Sequence, residues 1–274
     1  MVIPLGNESK PQIKPWATYL LIAVNLVCFA VEQIKPLSFL ISYAATPYEI
    51  TNNVDVFEPF TYQIEPTPDG DADPRDESGI FVHQARGPSP IRLTLISSLF
   101  LHANLIHLGG NMLFLFIFGR RIEEAFGRLL YLGFYLGCGV VGTLTEVAAT
   151  PESLTPIIGA SGAIAGVMGA YLVWFPRDRV RVLVFNVLVL VPASGVIGIW
   201  IGIQLLRGYF LSGAVAQAGQ VAYLSHIGGT AMGIVGGIPI YFLSSKNVAL
   251  RPTLDTNDSN FVGAAPNHDR DPSD

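Results

Sequence analysis

Six apolar stretches, each close to the length that crosses a bilayer, constrain this chain more than any other feature. A hydrocarbon core takes about 20 apolar residues in a helix, range roughly 17–25. The stretches lie at about 16–33, 99–118, 129–149, 157–174, 194–212 and 221–243. A seventh apolar piece, 182–193, is too short and carries Pro192. It suits an interfacial or re-entrant segment better than a span. Composition agrees, because only 14% of the residues are charged, whereas soluble domains carry about 25%. The expected fold class is an all-α membrane protein, a bundle of six transmembrane helices.

Lys and Arg set the expected orientation. Lys10 and Lys14, then Arg120, Arg121 and Arg128, then Arg177, Arg179 and Arg181, and finally Lys246, Arg251 and Arg270 fall on one side of a six-span topology. That side holds most of the basic residues, so both termini are expected to be cytoplasmic. The domain division is then a cytoplasmic segment 1–15, a six-span domain 16–244 and a disordered cytoplasmic tail 245–274. A long outer connection at 34–98 contains an acidic, Pro- and Gly-rich insert at about 65–79, which reads as disordered. The first apolar run lacks a small-residue cleavage pattern and reads as a retained span. Without a transit peptide, the topology suits a multi-pass protein of a bacterial plasma (inner) membrane. A net charge of −5 excludes the basic footprint of a nucleic-acid binder.

Polar groups inside spans are costly and mark function by default. Three clusters qualify. His102, His107 and Asn111 lie in LHANLIHLGGN, Ser161 in GASGAIAGVMGA, and His226 in SHIGGTAMG. On the six-span topology all three share one leaflet, whereas counting 182–193 as a span would put Ser161 and His226 on opposite sides. Gly159, Gly162, Gly166 and Gly169 fall on one helical face, and Gly229, Gly233 and Gly237 recur every four residues. Small residues so spaced let membrane helices pack closely, and a Ser–His pair needs about 2.6–3.2 Å between heavy atoms. His107 and Asn111 project from one face, where they could stabilise an oxyanion. A metal site is the weaker alternative. His102 and His107 lie about 140° apart on an ideal helix, and no Cys, Asp or Glu adjoins them to complete a closed set. Glu146 is expected to be a snorkelling or hydrogen-bonded carboxylate and not a triad acid.

Together these motifs resemble the rhomboid family of intramembrane serine proteases over roughly residues 15–243. His102, His107 and Asn111 resemble its second-span signature. Gly159-Ala160-Ser161-Gly162 resembles its G-x-S-G. His226-Ile227-Gly228-Gly229 with Gly233 resembles its His-x2-Gly-x3-Gly. The resemblance implies a rhomboid-like bundle with Ser161 as nucleophile, His226 as base and no carboxylate partner. It further implies an oxyanion hole from His107, Asn111 and the Ser161 backbone N–H. His102, Gly159, Gly162 and Gly229 would be structural near the site. Neither cofactor nor metal is implied, and the partners are the lipid bilayer and single-pass transmembrane substrates cut near the outer face. Substrate access would involve the fifth span, with Trp200 and Gln204, and the loop 212–220. Glu123 falls where many relatives carry an acidic residue. Three positions depart from the pattern: Leu93-Thr94 replaces a Trp-Arg pair, Ser225 stands where Ala is common, and Ala165 replaces an aromatic residue that stacks on the histidine. Some other group must therefore orient His226. Two other readings stand beside the protease: an inactive relative that binds membrane proteins, and a small transporter.

Overall fold

The computed structural model describes residues 2–7, 12–56, 60–61, 81–82, 86–184, 187–211 and 222–249. The acidic insert at 65–79, the loop 212–220 and the tail from residue 250 lie outside the described residues. In chain order the elements are β1 (Val2–Asn7), α1 (Trp16–Ile34), α2 (Leu37–Tyr43), α3 (Pro47–Asn52), β2 (Phe60–Thr61) and β3 (Phe81–Val82). Then follow α4 (Ile91–Phe100) and α5 (Leu105–Phe126), α6 (Arg128–Ala149), α7 (Ser161–Trp174), β4 (Arg179–Val184), β5 (Val187–Pro192), α8 (Ala193–Leu211) and α9 (Tyr223–Ala249).

The helices α1, α5, α6 and α9 are long and apolar enough to cross a membrane. The apolar helices α7 and α8 run beside them. Central among them is α7, in which every residue from Gly162 to Tyr171 is buried. Its neighbours leave large apolar side chains outward, among them Leu20, Val27, Leu129, Ile199, Leu206 and Val235. An apolar exterior around a packed interior is what a lipid solvent favours. The helical membrane class is the expected one, with four of the expected spans long enough to cross.

Close packing of α7 on α9 rests on small residues. A methyl added at Gly229 or Gly233 would overlap the carbonyl oxygens of Gly162 and Gly166, and one at Gly237 would sit 3.2 Å from the Cα of Ala170. Membrane helices gain little from apolar burial against one another, so this backbone-to-backbone dispersion contact is a main source of their affinity.

Two buried carboxylates fix where helices begin. The first-turn N–H groups of a helix have no partner within it. Glu123 of α5 accepts from the N–H of Ala17 (2.9 Å), the N–H of Thr18 (2.7 Å) and the Thr18 hydroxyl (2.8 Å), so it caps α1. Glu146 of α6 accepts from the N–H of Ser225 at 3.0 Å and caps α9 the same way. Of the two roles expected for Glu146, snorkelling or hydrogen-bonded, the hydrogen-bonded one is observed.

The structure departs from the sequence reading in three places. First, the second long helix does not span 99–118. It starts at Leu105, with Asn104 accepting from the N–H of His107 at 2.9 Å as an N-cap, and continues through a π-turn at Leu115–Gly119 to Phe126. Arg120 and Arg121 are thus helical, and the connection expected between the stretches 99–118 and 129–149 shrinks to Gly127, whose φ of 78° ends the helix. Arg, Ile and Glu are good enough helix formers to carry the coil past the apolar run. Second, the fourth helix begins at Ser161 and not near 157. Ile157 instead exchanges backbone hydrogen bonds with Ala45 at 3.1 and 2.9 Å. Third, 182–193 is no re-entrant piece but most of a β-hairpin. Strand β4 is central to a three-stranded antiparallel sheet in the order β1-β4-β5, so the N-terminal segment 1–15 contributes a strand. Val180 and Val182 face the main core, while Arg181 is exposed.

Candidate active site

Ser161 owes its position to the turn before it. Gly159 has φ of +119°, a conformation L side chains rarely adopt, and its N–H donates to the carbonyl of Ser98 at 2.8 Å. A Cβ there would lie 2.8 Å from Cε1 of His107 and 3.7 Å from Nδ2 of Asn111. Glycine is required both by the backbone and by those side chains. Ser161 is then the first residue of α7, so its N–H is one of the four that a helix leaves without an internal acceptor.

The α7–α9 contact brings His226 to Ser161. Nε2 of His226 lies 2.7 Å from Oγ of Ser161. His226 is 5% exposed, and its Nδ1 lies 2.9 Å from Oε1 of Gln204 on α8. Trp200 packs its ring 5.3 Å from the imidazole at 40°, and Tyr223 presents an edge at 6.5 Å.

Helix α5 forms the opposite wall. Asn111 Nδ2 donates to Nε2 of the buried His102 at 2.9 Å, and the backbone N–H of His102 donates to Glu32 of α1 at 3.1 Å. The rings of His102 and His107 meet edge-on at 5.1 Å. A cleft of about 230 Å³ is lined by Ile106, His107, Gly110, Asn111, Phe114, Ser161, Ile164, Met168, Trp200 and His226. A side-chain hydroxyl paired with an imidazole, facing amide and imidazole groups across an apolar cleft, has the parts for acyl transfer. Among the described residues no three His, Cys, Asp or Glu side chains converge as metal ligands would.

A rhomboid domain model matches residues 91–242, more than half of the chain. The chain belongs to the rhomboid family. It is 29% identical over 150 residues to Rhomboid protein 1, mitochondrial, of Saccharomyces cerevisiae, covering 53% of this chain and 41% of that protein. It is 30% identical over 151 residues to Rhomboid-like protein 11, chloroplastic, of Arabidopsis thaliana, covering 53% and 51%. To Rhomboid protease GluP of Bacillus subtilis it is 36% identical over 78 residues, covering 28% and 15%. The chain thus spans about half, or less, of the length of these relatives.

Within this rhomboid, the serine, histidines and asparagine singled out from the sequence converge. Ser161, His226, His107 and Asn111 line one cleft, and His102 stands behind Asn111. Gly162 packs against Ser225, whose Oγ would lie 2.7 Å from an added methyl, and Gly229 against Gly162. The sequence reading did not foresee the contact of Gln204 with His226. The signal was available: Gln204 is a lone amide in a helix otherwise rich in Ile, Leu, Gly and Trp, and such residues in membrane spans rarely stand idle.

Proposed function

We propose that this rhomboid is an intramembrane serine endopeptidase that cuts transmembrane segments with a Ser161–His226 dyad. The observation carrying this reading is the 2.7 Å approach of Nε2 of His226 to Oγ of Ser161 at the cleft. In the mechanism, Ser161 Oγ attacks the scissile carbonyl carbon and passes its proton to Nε2 of His226. The carbonyl π pair moves to oxygen, where the Ser161 N–H, Asn111 and His107 stabilise the charge. Collapse expels the amine, which takes the proton from His226, and water then releases the acyl group by the same route.

A peptide bond inside a helix is shielded, so the substrate must unwind. That favours Gly, Pro and other weak helix formers near the cut. Single-pass proteins are the substrates that fit, cut near the end of the bundle where Ser161 lies. The bias of Lys and Arg supports cytoplasmic termini and a site near the outer face, in a membrane of the bacterial plasma type.

The test is cleavage of a single-span substrate with a helix-weakened outer segment in liposomes, by wild type, Ser161→Ala and His226→Ala. Cleavage abolished by both substitutions is expected. Cleavage that persists in either would discard the dyad, and folded wild-type protein that cuts no such substrate would favour a binding role.

A further inference from the structure

An imidazole that accepts a proton at Nε2 must already carry one at Nδ1, and that second N–H needs a buried acceptor. Among the described residues no carboxylate touches His226. Glu146, the carboxylate that caps the start of α9, is engaged with the N–H of Ser225. Ala165 offers no ring to stack on the imidazole. The group at Nδ1 is the Gln204 carbonyl oxygen, at 2.9 Å. Gln204 is 8% exposed, although its neighbours on α8 (Ile199, Ile203, Leu205 and Leu206) point outward. A polar side chain held inward on an apolar helix needs a partner that offsets its desolvation, and that partner is His226.

We propose that Gln204 is a positioning residue for the base, an inference that rests on the dyad reading above. Its Oε1 accepts from Nδ1–H of His226 and fixes the tautomer that leaves Nε2 free to accept from Ser161. It also steadies the imidazolium that forms when Ser161 gives up its proton. Gln204 itself neither gains nor loses a proton. It occupies the place that an aspartate holds in three-residue hydrolases, but without a charge, which a site among apolar helices would have to desolvate. Trp200, one turn earlier on α8, packs beside the same ring, so one helix sets both the hydrogen bond and the tilt of His226.

The experiment measures kcat and KM for a single-span substrate with the full chain in liposomes, alongside thermal unfolding. The variants are Gln204→Met, which keeps the volume and removes the acceptor, Gln204→Asn, which withdraws it, and Gln204→Glu, which keeps it. By analogy with partners that orient metal-ligating histidines, kcat of the Met and Asn variants is expected to fall about 10- to 100-fold, with KM unchanged. The Glu variant is expected to recover most of that loss. Wild-type kcat in Gln204→Met, equal damage in the Met and Glu variants, or an effect on KM alone would each overturn the proposal. Should the Met variant lose its fold, the comparison of Asn with Glu decides. Ser161→Ala is run beside them: cleavage that survives it overturns the dyad and this inference together, whereas cleavage lost there but unaffected by Gln204→Met overturns the inference alone.

Discussion

Asn111 illustrates how much one side chain depends on its support. Its amide nitrogen is held by Nε2 of His102, and the backbone N–H of His102 is tied to Glu32 on a different helix. If Asn111 stabilises the oxyanion, Asn111→Ala should lower kcat about 10²–10³-fold with little change in KM. Replacing His102 by Ala should lower kcat less, because it loosens Asn111 without removing it. Steady-state kinetics on one substrate check both. At this scale the sequence was legible where chemistry is rare: Ser, His and Asn in apolar runs stand out without any coordinates. Gln204 was legible as a lone amide in an apolar run, but its partner was not, because His226 is 22 residues away on another helix and only the crossing of α8 and α9 pairs them. Gly159 was expected to be structural near the site, but the start of the helix at Ser161 was not. Hydropathy reports apolarity and is blind to a positive φ.

Among the elements, the capping carboxylates matter most for stability. Glu123 meets three donors of the first turn of α1, and a hydrogen bond to a charged group contributes about 1.5–3 kcal/mol. Glu123→Ala should therefore destabilise the fold by about 3 kcal/mol, measured by denaturant titration in mixed micelles. Glu123→Gln, which keeps one acceptor oxygen, should lose less. Length and apolarity located α1, α6 and α8 nearly to the residue, whereas α9 runs on to Ala249, into the expected tail. They misplaced the ends of α5, because Arg120 to Phe126 extends the helix beyond its apolar part. The β-hairpin was missed for another reason. Arg179-Val180-Arg181-Val182 alternates with the period of a strand, but a short apolar run read for membrane length hides that pattern. The pairing of β4 with β1, whose register runs from Val2 opposite Val184 to Asn7 opposite Val180, joins residues too far apart in sequence for any local signal to reveal.

For the whole molecule, the six-helix topology makes a spatial claim. The hairpin tip and the start of α5 should lie on opposite sides of the membrane. With Cys28 and Cys138 replaced, single cysteines at Leu188 and Leu105, both well exposed, should be labelled by an impermeant maleimide from opposite faces of oriented vesicles. Labelling from the same face would contradict the six-span arrangement. One dimension of the bundle has a broader consequence. Fourteen residues of α7 extend about 21 Å, several ångströms short of a hydrocarbon core about 30 Å thick. A lipid-facing helix of that length would strain the bilayer, but α7 is walled off from lipid by its neighbours along almost its whole course. It behaves as a central post within a ring of staves. Changes in membrane thickness would be taken up by tilting of the staves, and the depth of Ser161 would be set by protein packing and not by the lipid in which the molecule floats.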